Sequence, residues 1–204
     1  MKHFERELVR GFLHEPKYPN GNGLVITHGA GSNSDTTLLK AIAEAFAGAG
    51  IVTLRCDLPF RQQRPKGPPF PAQSERDREG LRRAIEAMRE IAGGRVFLGG
   101  HSYGGRQATM LAAEDPGVAD ALLLLSYPLH PPRKPQEPRT GHFGSIQTPA
   151  LFVHGTRDTF GTMESMRAAL ALIPARTDLV EVTGAGHSLY PSVAPMCVQR
   201  LSVL

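Results

Sequence analysis

The sequence predicts an α/β fold: a mostly parallel, doubly wound sheet with helices on both faces. Three observations predict it. Short, continuous apolar runs alternate along the chain with longer, Ala-rich segments of helical period. The short runs are apolar at successive positions rather than at every second one, which suits strands buried on both faces. The 204 residues are enough for one sizeable core, so residues 1–204 are expected to form a single domain.

The elements follow in order. Glu7–Leu13 is expected as an edge strand, with a hairpin-like reversal at Pro19–Gly23, where an Asn-Gly pair stands. Further strands are expected at Leu24–Thr27, Ile51–Leu54, Val96–Leu98, Ala121–Leu125, Ala150–Val153 and Leu179–Val182. Helices are expected near 36–48, 74–92, 103–114, 161–172 and 190–203. Two proline-rich stretches, 59–73 and 127–148, are expected to be irregular loops. Each follows a strand, at the end of the sheet where α/β proteins bind ligands.

Composition narrows the function classes. Hydrophobic residues at 41% and charged residues at 21% are ordinary for a globular chain. No apolar run nears the roughly 20 residues needed to span a bilayer, so no membrane partner is expected. The N-terminal MKHFERELVR is charged where an export signal needs an apolar core, which predicts a cytoplasmic protein. The net charge of +4 is scattered, without a basic block, so no nucleic-acid partner is expected. Cys56 and Cys197 have no metal-site spacing and are expected to be reduced; no metal is expected.

The chemistry starts at Gly100-His101-Ser102-Tyr103-Gly104, between a buried strand and an Ala-rich helix. A serine on such a strand-to-helix turn is held in a strained conformation that exposes its Oγ, and the flanking positions must be glycine because the chain passes close to itself. A serine hydroxyl is a weak nucleophile and needs a neighbouring base. Downstream, His154-Gly-Thr-Arg-Asp158 and Gly184-Ala-Gly-His187 each follow a strand. Ser102, Asp158 and His187 therefore fall at one edge of one sheet and are the expected nucleophile, orienting acid and base. The N–H groups of Tyr103 and of Ala30, in Thr27-His-Gly-Ala-Gly31, are the expected oxyanion donors. Asp57 is expected to fix the turn at Leu58-Pro59, His28 and His154 to orient loops, and His101 to point away from the serine.

These segments, His28–Gly31, Gly100–Gly104, His154–Asp158 and Gly186-His187, resemble those of the α/β-hydrolase superfamily, in order and over nearly the whole chain. The short length is similar to the compact, dienelactone-hydrolase-like branch. Founding enzymes of that branch carry a cysteine nucleophile, and Ser102 stands in its place here, which argues against the dienelactone reaction itself. The resemblance implies a minimal hydrolase fold without a lid domain, no cofactor, and a site partly shielded by residues 59–73 and 127–148. The expected activity is cleavage of a small-molecule carboxylic ester or thioester through an acyl-enzyme, by a monomer or homodimer. The alternatives are a catalytically idle binding module and a small peptidase. Phe60, Phe70, Tyr127 and His130 are the candidate acyl-pocket residues, and Arg61, Arg64 and Arg133 the candidates for attracting a substrate anion.

Overall fold

The computed structural model describes residues 1–131, 134 and 136–204. Arg133 thus lies outside the described residues. Eight strands form one sheet: β1 (Lys2–Arg6), β2 (Val9–His14), β3 (Gly23–Thr27), β4 (Val52–Asp57), β5 (Val96–His101), β6 (Ala121–Leu125), β7 (Ala150–Gly155) and β8 (Thr177–Val182). Their spatial order is β1-β2-β4-β3-β5-β6-β7-β8. The strands from β3 onward run parallel, and β2 is antiparallel to both its neighbours.

The continuous apolar runs are explained by two cores. Leu24 and Ile26 of β3, and Leu123 and Leu125 of β6, face α1 (Thr37–Gly48) and α6 (Ala194–Leu201) through Leu39, Ile42, Phe46 and Cys197. The alternate positions Val25, Leu122 and Leu124 face α3 (Ser74–Ile91), α4 (Tyr103–Glu114) and α5 (Met163–Leu170) through Leu81, Met88, Leu111 and Met166. Each fully buried leucine of β6 contributes about 2 kcal/mol relative to exposure. Both cysteines are buried and free, and burial pushes each thiol up to about 12.

Three local expectations are corrected. The N-terminal strand is two strands joined at Glu7-Leu8, with Leu8 at φ +59°, and β1 rather than β2 is the edge. The polar, exposed Lys-His-Phe-Glu-Arg of β1 carries no hydrophobic signal and suits an unpaired edge. The Asn-Gly stretch makes no hairpin: β4 lies between β2 and β3, and Asn22 Oδ1 instead accepts the Arg95 N–H at 3.0 Å. Residues 59–73 are not wholly irregular, since Pro59–Gln63 forms α2. Proline is suited to a first helical turn, where its missing N–H has no intrahelical acceptor and its φ is preset.

Candidate active site

The strand ends β3, β5, β7 and β8 carry the segments that meet at the site. Ser102 sits between β5 and α4 at φ +52°, ψ −116°, a conformation that L-residues rarely adopt. The turn closes so tightly that a Cβ on Gly100 would lie 2.4 Å from the Gly104 carbonyl carbon, and one on Gly104 would lie 2.6 Å from the His28 oxygen. Only glycine fits at either position.

Three side chains from separate loops form one relay. Ser102 Oγ and His187 Nε2 are 2.8 Å apart, and His187 Nδ1 and Asp158 Oδ2 are 2.8 Å apart. The carboxylate only accepts, so the proton sits on Nδ1 and Nε2 faces the serine as an acceptor. Asp158 Oδ1 also accepts the Phe160 N–H at 2.8 Å. Burial raises the Asp158 pKa, but the hydrogen bond from His187, that from Phe160 and the electrostatic pull of the two neighbouring imidazoles outweigh it; the net shift is downward. The Phe160 ring packs on the His187 ring at 4.3 Å between centroids and limits its rotation.

His101 does not turn away from the site, as the sequence suggested. Its Nε2–H donates to the His187 carbonyl at 3.0 Å, fixing the His187 backbone. Burial, chiefly, lowers its pKa, so the ring stays neutral and this single donor persists. His154 Nε2 donates to the Gly161 carbonyl at 2.9 Å and so shapes the loop that carries Asp158.

Ala30 and Tyr103 border the same cleft as Ser102, and among the described residues neither backbone N–H finds a hydrogen-bond acceptor. Their loops are held from behind. Tyr103 Oη–H donates to Asp77 at 2.8 Å, and Asp77 also accepts the Phe60 N–H at 3.0 Å. His28 Nδ1–H donates to the Gly29 carbonyl, while Nε2 accepts the Leu58 N–H. Burial holds His28 neutral, with a pKa near 4. Asp57, the last residue of β4, accepts the Ser34 N–H on Oδ1 at 2.7 Å and so ties down the Ala30 loop.

Arg61 shares that bracing role. Its guanidinium donates to the carbonyls of Ser32 at 2.7 Å, Ala30 at 2.8 Å, Gly67 at 3.0 Å and Arg64 at 3.1 Å. Four of the five N–H donors are spent on backbone carbonyls and the side chain is buried, which corrects its assignment as an anion ligand. Arg64 likewise bonds the Pro68 carbonyl and lies over the Phe70 ring. Loss of the Arg61 clamp in Arg61→Ala is expected to lower kcat on any substrate of the site by about tenfold, with KM changed less. That is smaller than the 100- to 1000-fold typical of deleting an oxyanion donor, because the Ala30 N–H stays and only its placement loosens. Steady-state kinetics that show a KM effect alone would contradict this.

The acyl-pocket expectations divide. Phe60 is buried, packed between the rings of His28 and Tyr103, and contributes to the core rather than the cleft. Tyr127 is also buried; its Oη–H donates to the Arg139 carbonyl and its ring packs on Phe143 and Phe152. His130 lines a separate depression beside α5, with Leu129 and Leu172. The cleft over Ser102, about 580 Å³, is bordered instead by Phe70, Met110, Phe160, Arg106 and Arg139. Of the four aromatic candidates only Phe70 faces it. Aromatic identity alone does not tell a core ring from a pocket ring; the packing of α2 decides that.

The alpha/beta hydrolase domain model matches residues 20–196, which include every part of the relay. The chain belongs to the α/β-hydrolase family. A solved serine hydrolase homologue from Coxiella burnetii superposes on this α/β hydrolase with a TM-score of 0.79, at 17% identity, over 98% of this chain and 96% of that one. A dienelactone hydrolase from Anabaena variabilis superposes with a TM-score of 0.72, at 20% identity, over 98% and 94%. At those identities the likeness bears on the fold. A Mycobacterium tuberculosis protein, named provisionally as a phosphoribosyl transferase, is 29% identical over 181 residues, covering 88% of this α/β hydrolase. The match spans 39% of that protein's length. Among the described residues no helix is long and apolar enough to cross a membrane, and no separate helical cap stands over the cleft.

Proposed function

We propose that the chain, acting as one domain over residues 1–204, is a serine hydrolase of small carboxylic esters or thioesters. The observation that carries the reading is the relay of two 2.8 Å contacts from Ser102 through His187 to Asp158, with the serine on a strained turn. In this reading Ser102 Oγ adds to the acyl carbonyl carbon while His187 Nε2 takes its proton. The oxyanion is held by the N–H groups of Ala30 and Tyr103. The carbonyl re-forms, the bond to the alkoxide or thiolate breaks, and His187 gives that leaving group its proton. Water then enters, loses a proton to His187, and attacks the acyl-enzyme; its collapse returns the proton to Ser102 and frees the acid. Asp158 holds the Nδ1–H tautomer and stabilises the imidazolium throughout.

A fluorophosphonate probe tests this directly. Covalent labelling of the wild-type protein that disappears in Ser102→Ala, with p-nitrophenyl ester or acyl-CoA thioester turnover lost in parallel, is the expected result. Folded wild-type protein that takes no label and turns over no ester points to a binding module instead. Amide hydrolysis as fast as ester hydrolysis points to a peptidase.

A further inference from the structure

The cleft over Ser102 holds two cations that the relay does not use. Arg106 lies one turn into α4, and Arg139 lies on the segment between β6 and β7; both border the cleft. Among the described residues no carboxylate comes within 4.0 Å of either guanidinium. The acids closest in sequence are paired elsewhere, Glu114 with Arg78 at 2.9 Å and Glu137 with Lys134 at 3.1 Å. The residues outside the description, Pro132, Arg133 and Pro135, include no acid. Among the described residues, Arg106 Nε is buried without a hydrogen-bond partner, and the Arg139 guanidinium makes one long contact, 3.4 Å to the Pro128 carbonyl.

Two half-buried guanidiniums facing one cleft with no acid between them repel each other and make that end of the cleft attractive to an anion. Their mutual effect is visible: burial and then the Arg106 charge push the Arg139 pKa down. Burial and the same charge hold the nearby His142 neutral, near 4, so it adds no further cation. The remaining wall, with Phe70, Met110 and Phe160, is apolar and suits a short methylene chain.

Position assigns the anion to one half of the substrate. The leaving group must lie against His187 to receive its proton. The acyl half then extends the other way, over the start of α4, where Arg106 is the residue one turn beyond the Tyr103 N–H.

We propose that Arg106 and Arg139 together bind an acid group at the far end of the substrate's acyl chain, so that the site takes esters or thioesters of an acyl group bearing a second, anionic terminus. The inference deepens the serine-hydrolase reading and rests on it for the chemistry. A planar guanidinium pair matches the oxygens of a carboxylate or a phosphonate.

Two measurements separate the outcomes. The first is kcat/KM for mono-p-nitrophenyl adipate and p-nitrophenyl 6-phosphonohexanoate, each relative to the neutral p-nitrophenyl hexanoate. The wild-type enzyme is expected to prefer at least one anionic ester by about tenfold or more, the scale of one charge-assisted contact. That preference should fall toward unity in the Arg106→Gln/Arg139→Gln variant and return in part in Arg106→Lys/Arg139→Lys. The ratio cancels any loss of folded protein, since both esters meet the same sample. Whichever anion is preferred names the ligand. Hydrolysis of hexanoate with no anionic preference overturns the subsite and leaves the hydrolase reading standing. The second measurement is calorimetric binding of adipate and of 6-phosphonohexanoate to Ser102→Ala. At least one should bind and should weaken by about tenfold or more when both arginines become glutamine. Binding lost in this way upholds the subsite even if no ester is turned over; binding of neither acid, or binding indifferent to the arginines, overturns it.

Discussion

Ser102→Ala and His187→Ala are each expected to lower kcat on a p-nitrophenyl ester by on the order of a million-fold, and the double variant by no more than either alone. The reason is geometric. With Oγ and Nε2 2.8 Å apart, neither group has a substitute. Without the imidazole the hydroxyl keeps its proton, and without the hydroxyl the imidazole has nothing to activate but water. Residual rate above the uncatalysed reaction comes from the Ala30 and Tyr103 N–H groups and from binding alone, on the order of 1000-fold. Burst-phase and steady-state measurements on the three proteins decide the matter. Losses that multiply in the double variant mean that the two residues act independently, and the relay is then not the source of activity.

Asp158→Asn is expected to lower kcat by on the order of 10,000-fold, with KM little changed. An amide that turns its NH2 toward His187 Nδ1 makes that nitrogen the acceptor. The ring proton then moves to Nε2, which faces the serine and can no longer receive its proton. The same substitution has a signature in stability. The Asp158 pKa is lowered in the folded protein, so its contribution is complete above the unfolded carboxylate range and is lost as pH falls through the lower folded value. The melting-temperature gap between wild type and Asp158→Asn should therefore narrow below about pH 4, the unfolded carboxylate range. A gap constant down to pH 2 would show that the carboxylate is not stabilised by its partners.

The parts of the site that could be read from the chain share one property. Ser102 and Asp158 follow apolar runs that form buried strands, His187 follows the half-exposed edge strand β8, and parallel strands deliver their C-terminal loops to one edge of the sheet. Residue type, chain order and topology then agree without side-chain coordinates. The parts that could not be read depend on which way a loop or helix side chain faces. Phe60 and Arg61 sit next to each other in a proline-rich stretch that looks like a pocket loop. The α2 turn buries the first against His28 and Tyr103 and spends the second on four carbonyls. His101 looked idle because a neighbour of the nucleophile has no fixed direction until the Gly186 loop arrives above it.

The sequence by itself determined the parallel strands from β3 onward, their helical cover and the three residues at the strands' C-terminal ends, because hydrophobic runs and strand-end placement are properties of local order along the chain; the polar β1 and the order of the strands were outside its reach. The tertiary structure alone decided the walls of the cleft: that Phe70 faces it and Tyr127 does not, and that Arg106 and Arg139, some 30 positions apart in the chain, stand at its border without an acid between them. Facing and pairing are relations between distant segments, and they exist only once the core has fixed where each backbone runs.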